Sequence, residues 1–149
     1  MNGLEPGKQP ALDLEQAARA AIDAIRAAAV SAGYVVAIAI TDDHGDLIAA
    51  QRMEGCRPRW MRASLRKAHT AAVMDRDTED FQAEILRRQI DIAYYGDPLF
   101  TALPGGIVVQ VGGRTVAGIG VTGPTQGRDI ELARHGLAFF GAAMGTAKS

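Results

Sequence analysis

From Asp13 onward, apolar residues recur every three to four positions, at Leu14, Ala17, Ala18, Ala21, Ile22, Ile25, Ala28, Ala29 and Ala32. This spacing places them along one side of an α-helix. Asp13 suits the N-cap with Gln16 three residues on, and Gly33 suits the left-handed residue that closes the last turn. The period then shortens. Residues 35–41 are β-branched and apolar in both alternate sets, residues 42–46 have turn chemistry and residues 47–53 follow, which predicts a hairpin with a buried first strand. Residues 59–75 return to helical spacing, with Met61, Leu65, Ala68 and Ala72 as the apolar stripe and Ala63, Lys67, Thr70 and Met74 on the opposite face. A third helix is predicted over 78–94, capped by Asp77 or Thr78, with Phe81, Ile85 and Ile92 facing inward. Residues 107–111 and 115–122 flank Gly112-Gly113 as a second hairpin. A last helix starts near Asp129 and buries Ile130, Ala133, Leu137 and Phe140, with Gly136 permitting close approach.

The order helix, hairpin, two helices, hairpin, helix predicts an α+β fold, in which a central antiparallel sheet built from two hairpins is flanked by helices. The chain has 149 residues, 48% of them apolar, which suits one domain over 12–145 behind a flexible arm at 1–11. A formal charge of −1 gives no general attraction to nucleic acid or to anionic membranes. Arginines 57, 59, 62, 66, 87 and 88 are balanced by acids and lack interleaved aromatics, so a solvated or subunit-facing surface is their default. A single cysteine, Cys56, excludes an intrachain disulfide and any multi-cysteine metal site. No apolar run approaches the roughly 20 residues of a membrane span, and residues 1–11 lack the pattern of a secretory signal. The expectation is a cytoplasmic protein with no nucleic-acid, membrane or metal partner. Self-association is expected too, from open sheet edges and from Trp60, Phe139 and Phe140, which exceed the needs of one small core.

Gly118 and Gly120 strip one face of the last strand of side chains, leaving room for a packed helix or a flat ligand. The stretch leads through a strand and not into a helix, so it is no dinucleotide fingerprint. Together with Arg52-Met53-Glu54-Gly55, the pairs Lys67-Ala68 and Thr70-Ala71, Leu103-Pro104-Gly105-Gly106, and Asp129 with Glu131, Ala133 and Gly136, it resembles the GlcG/HbpS-like family of small haem-binding-type domains. The resemblance runs from Asp13 to Gly136. It implies a profilin-like layered domain, usually a homo-oligomer, and haem binding in some members. It also implies a ligand site at Lys67, Thr70, Pro104, Gly105, Gly106, Gly123 and Asp129. The three histidines fall outside the family's pattern.

Haem requires a flat apolar slot, an axial donor and basic groups for its propionates. His69 is the best-placed axial candidate, beside Leu65 and Ala72 at the edge of the apolar stripe with Arg62 and Arg66 close by, against the plainer role of a boundary histidine bonded to neighbouring backbone. His135 stands four residues from Glu131 as a solvated pair, and His44 is a turn residue suited to positive φ. Cys56 is either activated by nearby arginines or an inert boundary thiol. Lys67 either neutralises a carboxylate or caps a neighbouring element, and Asp129 suits a helix N-terminus on dipole grounds alone. Three functions remain open. One is a haem, tetrapyrrole or other small-molecule binding protein accessory to catabolism. The second is a small cofactor-independent isomerase, hydratase or decarboxylase acting on an organic acid through Lys67 and Asp129. The third is a structural oligomer that scaffolds a partner. Lys67 and His69 lie about 160° apart on one helix, so a site built on one excludes the other.

Overall fold

The computed structural model describes residues 13–148; the arm expected at 1–11 lies outside the described residues. Helix α1, Leu14–Ala32, begins where the Asp13 carboxylate accepts the Gln16 N–H and ends at Gly33 with φ 78°. Strands β1, Ala37–Asp42, and β2, Leu47–Arg52, form the first hairpin. His44 is not its positive-φ residue; Gly45 is, and the Asp42 carboxylate accepts the His44 N–H. Helix α2, Pro58–Val73, is followed by α3, Thr78–Arg88. The helix expected to reach residue 94 stops six residues short, because Gln89 turns left-handed and Asp91 caps a separate 3-10 turn, Ile92–Tyr95. Ile92 is accordingly only half-buried. Asp77 occupies the N-cap of α3, yet its carboxylate accepts the Val108 N–H instead of capping, which ties α3 to the sheet. Strands β3, Gly106–Val111, and β4, Arg114–Thr122, make the second hairpin, and α4, Gln126–Lys148, closes the chain. It starts one turn earlier than expected. Within it Ala133 and Phe140 are buried as expected, joined by Leu132 and Met144, while Ile130 and Leu137 are half-buried.

The four strands form one antiparallel sheet in the order β2-β1-β4-β3. Side-chain alternation along the central pair gives the sheet two different faces. On one, Ile38 opposite Val121 and Ile40 opposite Ile119 pack against α1 and α4 through Ile25 and Phe140, forming the main core. On the other, Ala37, Ala39 and Thr41 stand opposite Thr122, Gly120 and Gly118. That face is nearly bare, and α2 lies directly on it. A Cβ built on Gly120 would stand 2.0 Å from the Ser64 carbonyl oxygen, and one on Gly118 would stand 2.1 Å from that of Ala68. The glycines therefore seat a helix and not a flat ligand.

Such close approach decides which face of α2 is buried. The stripe read as apolar is displaced, since Met61 and Leu65 are only half-buried, while Trp60, Ser64, Lys67, Ala68, Thr70, Ala71 and Ala72 are buried. A helix whose backbone touches a sheet has room only for small side chains beneath it. Ser64 donates to the Ala37 carbonyl at 2.7 Å and bonds Thr122 Oγ1 at 2.9 Å, and Thr41 donates to the Ala68 carbonyl at 3.3 Å. The polar groups beneath the helix are thus satisfied.

Candidate functional site

Lys67 leaves α2 one turn beyond Ser64 and reaches the end of β4, where its ammonium donates to the Val121 carbonyl at 2.8 Å and to Asp129 Oδ2 at 3.2 Å. Both residues are 2% exposed. Asp129, in the first turn of α4, also profits from the positive end of that helix. Gly105 makes room for the ammonium: at φ 118°, its absent Cβ would stand 2.8 Å from Lys67 Nζ and 2.7 Å from the Val121 carbonyl oxygen. Burial pushes the Lys67 ammonium below its ordinary pKa, and the charge and hydrogen bond of Asp129 offset only part of that. Burial likewise pushes the Asp129 carboxyl up, against the opposing effects of Lys67 and the Gly123 N–H. The Gly123 amide is near enough to favour the carboxylate but completes no hydrogen bond, and Asp129 Oδ1 is buried without a partner. Each member resists being charged, so the ionic and neutral forms of the pair are drawn together in free energy.

The pair lies at the inner end of a cleft of about 610 Å³, between α2, residues 101–103 and the loop that enters α4. This volume falls within the range of roughly 300–1,000 Å³ common to small-molecule sites. Trp60, Ala63, Leu103 and Pro124 give the cleft an apolar lining, and Thr101 and Thr122 add hydroxyls. Arg59, Arg62 and Arg66, at i, i+3 and i+7 of α2, form its cationic wall. All three are exposed, and none takes part in the ion pairs found among the described residues. From the sequence Arg62 and Arg66 are grouped with His69, and neither the three arginines nor Trp60 is placed with Lys67 and Asp129. The arginines' recurrence at i, i+3 and i+7 is the signal that could have marked them as one cationic stripe.

Of the residues named from the family pattern, Lys67, Gly123 and Asp129 line the cleft. Gly105 stands behind the ion pair without lining the cleft, and Thr70, Pro104 and Gly106 do not line it either. Thr70 Oγ1 accepts the Thr101 N–H at 3.0 Å and so holds the 95–105 segment, while Gly106 donates to Thr78 Oγ1 at 2.9 Å. Pro104 is buried beside them. The Gly106 amide is engaged and both Gly105 and Gly106 are buried, so these glycines present no open backbone donors to a ligand.

His69 projects from the other side of α2. Its Nδ1 stands 3.0 Å from the Gly45 carbonyl oxygen and its Nε2 stands 2.7 Å from Asp97 Oδ2, with Phe100 packed on the ring at 5.9 Å. Both nitrogens face acceptors, so the ring clamps the β1-β2 turn to the segment after the 3-10 turn. Burial pushes the Asp97 carboxyl up, but the His69 hydrogen bond, the Leu99 N–H and the His69 charge outweigh it and hold the carboxyl below its ordinary value. His135 does not pair with Glu131, which is bonded to Arg128 at 3.0 Å; its ring lies 5.0 Å from that of Phe139. Cys56 is half-buried, and burial raises its thiol pKa against the weaker pull of the Met53 backbone and Arg52, which is the opposite of activation. Among the described residues there is no group of three or more His, Cys, Asp or Glu placed to hold a metal ion. No helix there is long and apolar enough to cross a membrane.

A family model described as haem degrading protein HbpS-like matches residues 12–138. The chain is 35% identical to the protein GlcG of Escherichia coli over 108 residues, covering 72% of this chain and 79% of that protein. It superposes on a double mutant of HbpS from Streptomyces reticuli with a TM-score of 0.78 at 29% identity, covering 93% and 94% of the two chains. The Klebsiella pneumoniae protein ORFY gives a TM-score of 0.81 at 22% identity over 95% and 99%. A PduOC–haem complex shares the fold, with a TM-score of 0.76 at 19% identity over 83% and 91%.

Proposed function

The chain belongs to the HbpS-like family, and on that premise we propose that it binds an anionic organic ligand, a tetrapyrrole in the first instance, in the cleft between α2 and the start of α4. The observation that carries this reading is the joining of three unpaired arginines, an apolar lining and the buried Lys67–Asp129 pair in one cavity of ligand size. Exposed guanidinium groups fit carboxylates in bidentate geometry, and the small part of Trp60 left exposed joins Ala63, Leu103 and Pro124 in an apolar wall. Trp60 is also the single tryptophan of the chain, so its quenching follows binding of the ring from one known position, and the arginine variants assign that binding to the cleft. Saturable quenching of Trp60 by haem, weakened in Arg62→Ala/Arg66→Ala, is the expected result. Quenching that is absent, or that both variant and parent show equally, contradicts the assignment.

A second function, proton transfer to or from a small organic acid, is favoured by the opposed pKa shifts of Lys67 and Asp129, which ease movement of a proton between them. It predicts slow turnover that Asp129→Asn abolishes. Self-association belongs to the same proposal. Phe139 is 47% exposed beside a shallow groove lined by Ala20, Ala24, Ala27 and Ala28, between α1 and α4. A knob and a hole on one face are satisfied reciprocally by a second copy across a two-fold axis.

A further inference from the structure

We infer that the cleft recognises its ligand by the ligand's carboxylates and apolar body, and not through iron, so that an iron-free tetrapyrrole binds as well as haem. This rests on the assignment of the cleft as the ligand site and narrows the ligand class. The residues present were set against what haem iron requires, an axial imidazole, thiolate, thioether or phenolate. Among the described residues lining the cleft there is no histidine, cysteine, methionine or tyrosine. The one basic nitrogen at its inner end, Lys67 Nζ, is held by the Val121 carbonyl and by Asp129. Taking it for a metal would leave the Asp129 carboxyl buried without its partner.

His69 does not supply the missing donor. It leaves α2 on the far side from Lys67, is absent from the lining, and has each ring nitrogen within 3.0 Å of an oxygen acceptor. Coordination through either nitrogen requires release of the Gly45 carbonyl or the Asp97 carboxylate, and with it release of a loop. What the cleft does provide is charge complementarity. Arg59 and Arg66 are seven residues apart on one helix, about 10 Å along its axis, with Arg62 between them. Two acidic groups on one ligand therefore find separate guanidinium partners while its body lies on Trp60, Ala63 and Leu103. The class of ligand is an apolar organic molecule with at least two carboxylates.

The test compares haem, iron-free protoporphyrin IX and the dimethyl ester of the iron-free ring, using Trp60 quenching for affinity, the arginine variants to assign that affinity to the cleft, and the Soret band for iron ligation. Haem and the iron-free ring are expected to bind within about threefold of each other, a difference under 1 kcal/mol. Esterification and Arg62→Ala/Arg66→Ala are each expected to weaken binding about tenfold, the sum of two exposed charge contacts. His69→Gln should leave both affinities and the haem spectrum unchanged, with a thermal melt confirming that it is folded. Haem binding more than about tenfold tighter than the iron-free ring, with a Soret shift that His69→Gln removes, overturns the inference and seats haem at His69; the cleft then stands as a site only for the iron-free ring, and only if Arg62→Ala/Arg66→Ala still weakens its binding. If neither ring quenches Trp60, both the inference and the cleft assignment fall.

Discussion

A single added methyl group tests how closely α2 sits on the sheet. Gly120→Ala places its Cβ against backbone atoms of α2, at 2.0 Å from the Ser64 carbonyl oxygen and 2.7 Å from the Ala68 nitrogen, so neither rotamer change nor side-chain motion relieves the clash. The helix must lift, and the expected loss is at least the roughly 1–3 kcal/mol of ordinary overpacking. In a chain of this size that lowers Tm by about 2–4 °C for each kcal/mol. A thermal melt of Gly120→Ala that matches the parent contradicts the packing described. Lys67 offers a second test. Lys67→Met removes the partner of a buried carboxyl and the donor to Val121, with an expected cost of about 3–5 kcal/mol. Adding Asp129→Leu should recover much of that loss, because the pair as a whole returns little beyond its desolvation cost. Urea denaturation of the single and double variants distinguishes this from simple loss of packing, in which the double variant is worse than the single.

Among the elements, α2 carries most of the architecture and was the least legible. Its boundaries followed from spacing, and its polar face was noticed, but the face assigned to the core was displaced. Helical periodicity assumes that large apolar residues mark the buried side. Here Gly118 and Gly120 invert that rule, since a bare sheet admits Ser64, Ala68 and Ala71 and leaves Met61 and Leu65 half outside. The inversion depends on pairing between residues some 50 positions apart, which no local window contains. The hairpins, the cap at Asp13 and the stop at Gly33 were legible because each is specified within a few residues. Lys67 and Asp129 are joined in one site through the family pattern; Arg59, Arg62, Arg66 and Trp60 are not legible as part of it because exposed arginines look like a solvated surface until a cleft is seen beside them. The segment at 95–105 was legible only as a loop. Its tether through Asp97 has a definite pH signature. Because the folded carboxyl of Asp97 lies below its ordinary value, the tether contributes stability above about pH 4, and this is lost as pH falls through the lower folded value. Denaturation curves between about pH 2 and 6 should show a shallower acid decline in Asp97→Asn than in the parent. Equal slopes would remove Asp97 from the account.

At the scale of the whole molecule, the sheet divides two territories with different tasks. The Ile38, Ile40, Ile119 and Val121 face packs on α1 and α4 and supplies the main core. The bare face carries α2, and with it the cleft and its buried ion pair. The outer surface of α1 and α4 is then free to meet another copy, and scattering from the purified protein should give a mass that is a multiple of 15.7 kDa. Phe139→Asp is expected to shift that mass to the single chain while leaving cleft binding intact; a monomeric parent contradicts the proposed interface. The central claim concerns the other territory, and a crystal structure of the protein with iron-free protoporphyrin IX tests it most directly. The account predicts the ring in the cleft against Trp60, its carboxylates on two of Arg59, Arg62 and Arg66, and the His69–Asp97 contact undisturbed. A ring seated instead against His69 and the β1-β2 turn, with the cleft vacant, would contradict it.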